Sequence, residues 1–128
     1  VDGINYPSNG QVVYLETDGF WYAYDQGDTN IYGKMVGLVF KVDSGAQTCK
    51  VLLEGHVLID NIIGPGVQGV DHGLPVYIKY QTTTGEMETG SPSSGIVQVL
   101  GHCYYQNTTT SDYWMMKFRP SNDWYKAT

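Results

Sequence analysis

The sequence contains little charge, and most of that charge is negative. Only 16% of the 128 residues are charged, and seven basic residues stand against thirteen acidic ones, giving a net charge of −6 at neutral pH. Arg119 is the single arginine. Because a domain that grips phosphates needs clustered Lys and Arg, this balance argues against nucleic acid as a partner.

Two further scarcities restrict the class of protein. No apolar stretch approaches the roughly 20 residues of a transmembrane helix, so no membrane association is predicted. The two cysteines, Cys49 and Cys103, are too few for a disulfide scaffold. Each lies in a strand-like run, where cysteine behaves as a small hydrophobic residue, so we predict two free, buried thiols, with a single bridge as the alternative.

Signatures of catalysis are also missing. The sequence has no G-x-S-x-G nucleophile elbow, no phosphate-binding loop and no dinucleotide-binding glycine pattern. The histidines His56, His72 and His102 show no metal-ligand spacing, even with Asp60 and Asp71 nearby in the sequence. We therefore predict no enzymatic activity, no cofactor and no metal. A glycoside-hydrolysing carboxylate pair stays open as a distant alternative, since no two acids stand out.

What the sequence does have is the composition of strands and turns. There are sixteen glycines, eleven tyrosines and three tryptophans but only three alanines, and β-branched residues are abundant. A length of 128 residues fits one domain. Because Pro7 and Gly10 interrupt the start of the chain, we predict an N-terminal arm over residues 1–10 and a single domain over residues 11–128.

The chain is organised as a series of hairpins. Predicted strands cover residues 11–16, 20–24, 34–42, 47–53, 55–59, 74–80, 86–89, 96–106 and 113–118. With this spacing and no helical period, they predict an all-β fold, a small antiparallel β-barrel or sandwich. Gly37 and Gly101, inside the two longest strands, favour a barrel, whose strands bend at corners. The long glycine-rich loop Asp60–Gly73 is predicted to be functional or linking, and the tail after Phe118 to be irregular.

Aromatic runs place rings on both faces of several predicted strands. If one face packs in the core, the other exposes Trp or Tyr, which are enriched at protein interfaces. Two other interpretations stay open: the rings only fill the core, or they stack on sugars. Including apolar residues of the arm and the long loop, the candidate interface residues are Tyr6, Trp21, Tyr22, Ile62, Ile63, Val67, Tyr113, Trp114 and Trp124.

The second half of the chain contains an ordered set of strand and turn motifs. These are a G-x-P-V-Y strand at Gly73–Tyr77, a T-G-x-M-x-T hairpin at Thr84–Thr89, a Pro-Ser-Ser-Gly turn at Pro92–Gly95, an I-V-Q-V-L-G strand at Ile96–Gly101 and an F-R-P-S-N-D-W tail at Phe118–Trp124. In this order, over roughly residues 50–128, they resemble the C-terminal β-domain of tailed-phage virion proteins, especially those of marine and freshwater phages.

The resemblance implies a structural role in a virion. Small β-domains of this family serve as capsid decoration (cement) proteins, which bind and stabilise the assembled head shell, and as domains of fibres or spikes. We expect the first role, with the major capsid protein as partner and a homo-oligomer, a trimer, as the functional form. The expected location is the outer surface of the head, with assembly in the host cytoplasm. A net charge of −6 suits the outer surface, because the protein does not contact DNA there. A receptor- or glycan-binding module of a fibre or spike is the alternative.

Overall fold

The computed structural model describes residues 10–43, 45–46, 48–59, 73–106 and 114–127, and about half of these residues lie in strands. In chain order the strands are β1 (Val12–Leu15), β2 (Trp21–Ala23), β3 (Val36–Asp43), β4 (Thr48–Leu52), β5 (Gly55–Ile59), β6 (Pro75–Ile78), β7 (Met87–Glu88), β8 (Gly95–Val97), β9 (Val99–Gln106), β10 (Trp114–Phe118) and β11 (Tyr125–Ala127). A short 3-10 helix, Thr29–Ile31, lies within the predicted loop between β2 and β3.

The strands pair into three antiparallel sheets. A four-stranded sheet has the order β2-β1-β3-β4, a five-stranded sheet has the order β5-β10-β9-β6-β7, and a two-stranded sheet pairs β11 with β8. The predicted all-β class with antiparallel hairpins is thus confirmed, and the arrangement is compatible with a sandwich.

One hydrophobic core joins the four-stranded and five-stranded sheets. Strand side chains alternate between the two faces of a sheet, so one face of each sheet can pack in this core. The buried members are Val12, Tyr14, Val36 and Leu38 from the four-stranded sheet and Val76, Ile78, Met87, Leu100, Cys103, Met116 and Phe118 from the five-stranded sheet.

The two interior glycines allow close packing and do not mark barrel corners. A Cβ atom at Gly37 would lie 2.1 Å from Cγ1 of Val51, and one at Gly101 would lie 1.9 Å from the carbonyl oxygen of Lys117. Gly101 also has a φ of +152°, which side-chain-bearing residues rarely adopt. The part of the chain that the structure describes forms open sheets and no closed barrel. Of the two predicted architectures, the barrel that these glycines favoured is therefore not the one observed there.

Two boundaries differ from the sequence-based expectation. The strand predicted over residues 96–106 is divided at Gln98 into β8 and β9, which belong to different sheets. The tail predicted to be irregular contains β11, whose residues pair with β8 in the register Tyr125 to Val97. Gln98, at the division, is buried, and its side chain accepts a 3.0 Å hydrogen bond from the Tyr24 hydroxyl.

Three other predicted features lie outside the described residues. They are the N-terminal arm apart from Gly10, the loop Asp60–Gly73 apart from Gly73, and the hairpin loop 107–112. The predicted domain boundary at residue 11 therefore stays a prediction.

Candidate functional site

The candidate interface residues fall into two groups. Tyr6, Ile62, Ile63, Val67 and Tyr113 lie outside the described residues, and so does the side chain of Trp114, whose backbone belongs to β10. The side chains of Trp21, Tyr22 and Trp124 are described, and the structure places them in three different environments.

Trp21 lies on the face of the four-stranded sheet that points away from the core, which we call the outer face. The pairing register assigns its members, since residues paired across strands share a face. The pairs are Leu15 with Trp21, Val13 with Ala23, Val13 with Gly37, and Val39 with Val51. All of these positions are apolar, whereas the free face of an antiparallel sheet normally carries polar residues.

Gly37 explains how the outer face is packed. A Cβ atom there would meet both Cγ1 of Val51 at 2.1 Å and Cη2 of Trp21 at 3.5 Å, so the missing side chain makes room for theirs. Val13 and Val39 are fully buried, while Trp21 and Val51 are half-buried. The centre of the outer face is therefore covered, and its accessible apolar surface lies at the margins, where Trp21 and Val51 are.

The exposed hydrophobic residue Met35 extends this surface at one end. Its side chain is 54% exposed, and its carbonyl oxygen accepts a 2.9 Å hydrogen bond from the Leu15 amide, which continues the β1–β3 register. That register places Met35 opposite Leu15, on the same side of the sheet as Trp21.

Ordered charges lie at the β1–β2 turn, where they contact the Tyr14 ring and the Tyr22 hydroxyl, both on the core side of the sheet. Lys34 forms an ion pair with Glu16, and its hydrogen bond holds the pKa of Glu16 below the ordinary value. Asp18 accepts hydrogen bonds from the Tyr22 hydroxyl at 2.7 Å and the Phe20 amide at 2.9 Å, and the first of these lowers the pKa of its carboxyl.

Tyr22 does not share the outer face with Trp21. It lies opposite Tyr14 on the core side of the sheet, where the two rings stack with centroids 6.0 Å apart. The structure therefore separates these neighbouring candidates, as the alternation of strand side chains requires.

Trp124 closes one end of the core. Its ring lies 6.0 Å from that of Tyr24 and 5.6 Å from that of Tyr32, with the second contact edge to face. The Tyr32 hydroxyl donates a hydrogen bond to the Trp124 carbonyl, and the Lys126 ammonium lies 5.7 Å from the centre of the Tyr32 ring. These contacts give Trp124 a packing role that is separate from the outer face.

Sequence patterns did not single out two buried glutamines, Gln26 and Gln98. The Gln98 side chain is 1% exposed, accepts a 3.0 Å hydrogen bond from the Tyr24 hydroxyl and donates one of 3.1 Å to the Ser121 carbonyl. Burial raises the pKa of Tyr24, which keeps its hydroxyl a donor. The one available signal was the position of Gln98 within the apolar run 96–100, where a polar residue needs buried partners.

The structure describes both cysteines and two of the three histidines, His56 and His102. Cys49 and Cys103 are free thiols, although only Cys103 is fully buried, and burial raises the pKa of Cys49. Within the ranges that the structure describes, no three His, Cys, Asp or Glu side chains come together in a way that could hold a metal ion. Among those same residues, no helix has the length and hydropathy that crossing a bilayer requires.

Two open grooves flank the segment 119–123 beside β10. Each has a volume of about 560 Å³. The first lies toward the four-stranded sheet and is lined by Met35, Leu53 and Trp124, among others. The second lies along β9 and β10 and contains His102, Lys117 and Arg119.

Comparison with known proteins does not assign the chain to a family. No protein-family model, no curated protein and no solved structure matches it. The resemblance to tailed-phage virion proteins therefore stays a prediction from the sequence motifs.

Proposed function

We propose that the protein is a structural protein of a phage virion, a capsid decoration (cement) protein that binds the assembled head shell through the outer face of its four-stranded sheet. The observation that carries this proposal is the apolar character of that face, from Leu15 and Trp21 to Val39 and Val51. The motif order between Gly73 and Trp124 supplies the phage context.

A contact function makes physical sense of this surface. A half-buried indole flanked by aliphatic side chains can lose its remaining water when a partner covers it, and Trp residues dominate many interfaces for that reason. A protein that binds only the assembled shell stabilises the shell by mass action, without any chemical step. The partner in this proposal is the major capsid protein.

The proposed assembly is a homo-oligomer on the outside of the head, with a trimer as the first expectation. Several linked copies bind a shell more tightly than one copy, because each later contact forms at a high effective concentration. The net charge of −6 supports an outward position, away from packaged DNA.

A receptor- or glycan-binding module of a fibre or spike is the second candidate. The observation that favours it is the pair of grooves beside the segment 119–123, where Trp124 and Arg119 contribute to the walls. Aromatic and cationic side chains in an open groove can bind sugars by stacking and hydrogen bonding.

Co-sedimentation with phage head shells stripped of this protein tests the proposal. Wild-type protein is expected to pellet with the shells, and Trp21→Ala is expected to bind at least tenfold more weakly, since truncating a central Trp typically costs about 2 kcal/mol or more. The control is Lys50→Ala, an exposed position on β4 that should not alter binding. Circular dichroism shows whether each variant is folded.

Two results would contradict this assignment. Shells that take up no wild-type protein would remove the decoration role. Folded Trp21→Ala protein that binds as tightly as wild type would show that the outer face is not the contact surface.

A further inference from the structure

Basic side chains form a row across three neighbouring strands of the five-stranded sheet. Lys117 on β10 is paired with His56 on β5 and with His102 on β9. All three side chains are exposed, and the neighbours of Lys117 along β10, Met116 and Phe118, are buried in the core. The row therefore lies on the solvent face of this sheet.

This concentration of basic residues is unusual in an acidic chain. The whole sequence has seven Lys and Arg and three His, and strands β5, β9 and β10 contain no Asp or Glu. Within the part of the chain that the structure describes, the side chains of His102 and Lys117 have neither a hydrogen bond nor an ion pair. Their nitrogen atoms are thus available to a ligand.

Arg119 adds a second cation beside Lys117. Its Nε lies 3.6 Å from Oε1 of Glu54, but both side chains are more than 60% exposed. An exposed pair at this distance is weak, so Arg119 can exchange Glu54 for a better-placed anion. The guanidinium can also bind a carboxylate through two parallel hydrogen bonds.

The opposite wall of the groove is polar and firmly held. The Arg119 amide donates to the Leu100 carbonyl and the Ser121 amide donates to the Val99 carbonyl, both at 2.8 Å. These bonds fix the segment that presents Asn122 and Asp123 to the same groove. Asp123 brings a carboxylate into a groove whose lining also contains the cations Lys117 and Arg119.

We infer that this groove binds an acidic saccharide, a chain of uronic-acid units. Lys117, Arg119 and His102 bind the sugar carboxylate, and Asn122 and Asp123 bind its hydroxyl groups. Asp123 favours this ligand over an acidic peptide. Its carboxylate can accept hydrogen bonds from the hydroxyl groups of a sugar, whereas it repels an acidic peptide that has no hydroxyl groups to donate. The volume of about 560 Å³ is that of a small-ligand site.

The inference deepens the glycan-binding alternative and does not rest on shell attachment. The groove is on the five-stranded sheet, whereas the proposed shell contact is on the four-stranded sheet, and the two sheets share the core between them. A protein docked on a shell through Trp21 would keep the groove open. Loss of saccharide binding therefore leaves the co-sedimentation result unchanged, and the reverse also holds.

Titration with trigalacturonate, followed by backbone NMR shifts, tests the inference at low salt. Saturable shifts are expected in β9, β10 and the segment 119–123. The methyl ester of the same trisaccharide keeps the hydroxyls but loses the charge, so it is expected to bind at least tenfold more weakly. Equal binding of acid and ester, or no binding of the acid, would overturn the inference.

Variants then identify the groups involved. Lys117→Gln is expected to weaken trigalacturonate binding at least fivefold, while Lys50→Gln, which removes the same charge from the four-stranded sheet, leaves it unchanged. Asp123→Ala should also weaken binding, because hydroxyl acceptors are lost. If Asp123→Ala instead tightens binding and polyglutamate binds as well as trigalacturonate, the groove is a general anion site and the saccharide assignment is wrong.

Discussion

Gln26 shows how one buried side chain joins distant parts of this chain. It is 2% exposed, and its Nε2 donates to the carbonyls of Ser94 and Ile96 while its Oε1 accepts from the Gln81 amide at 3.1 Å. Its backbone amide also donates to the Thr82 carbonyl at 2.9 Å. One amide group therefore holds the β6–β7 hairpin and the start of β8 against the segment that follows β2.

Replacing Gln26 with leucine is expected to lower the free energy of unfolding by at least about 2 kcal/mol. The substitution keeps the volume but removes the side-chain partner of one buried and two partly buried backbone groups, and a buried group left without a partner costs about 1–3 kcal/mol. Urea unfolding measures the loss. Gln81→Ala is the control, because Gln81 contributes its backbone amide and its side chain is exposed. A loss below 1 kcal/mol for Gln26→Leu would refute the role of this network.

At the residue scale, the sequence predicted the facing of strand aromatics but not the burial of Gln26. Alternation along a strand predicted aromatic residues on both faces within the Phe20–Tyr24 run, and Trp21 and Tyr22 do lie on opposite faces. The burial of Gln26 was not predictable, because its partners at Gln81 and Ser94 are 55 and 68 residues away. Nothing local to the loop sequence indicates contacts at such separation.

At the scale of elements, the β6–β7 turn is docked against the first hairpin. The carbonyl of Gly85 accepts a 2.8 Å hydrogen bond from the Val12 amide, and the Gly85 amide donates to the Tyr24 carbonyl at 3.0 Å. The two hairpins come from different sheets, so this turn joins the layers directly. A Cβ atom at Gly85 would lie 2.0 Å from the Val12 carbonyl oxygen.

Gly85→Ala is therefore expected to destabilise the protein far more than Gly19→Ala. Both glycines have positive φ, +76° and +86°, so both variants incur a conformational cost of about 1–2 kcal/mol. Only Gly85 also meets backbone atoms, since the Cβ position at Gly19 is open. Urea unfolding of the two variants gives the comparison, and equal destabilisation would show that the turn does not need its close approach to Val12.

The sequence predicted most of the strands but not their distribution among sheets. Hydrophobic alternation and Asp-Gly or Thr-Gly turns located hairpins such as β1–β2, because both signals are local. The break at Gln98 and the short strand β11 were not predicted. Three residues are too few for a periodic pattern, and the pairing of β11 with β8 depends on a distant partner. Gly37 and Gly101 favoured a barrel, because an interior glycine looks the same in the sequence whether it serves a sharp bend or a close packing contact.

At the scale of the whole molecule, the distribution of apolar residues explains the low charge content. Around β1 the four-stranded sheet is apolar on both faces, one of them in the core and the other with Trp21 and Met35 partly accessible. The basic row of His56, His102 and Lys117 lies on the other side of the core, in a chain whose net charge is −6. Such a molecule has one face suited to an apolar contact and another suited to an anionic ligand.

The central claim is that the outer face of the four-stranded sheet stabilises a phage head shell by contact. The most direct measurement is the melting temperature of stripped head shells with and without saturating protein. We expect wild-type protein to raise that temperature by several degrees and folded Trp21→Ala protein to raise it much less. An unchanged melting temperature at full occupancy of the shell by wild-type protein would contradict the account.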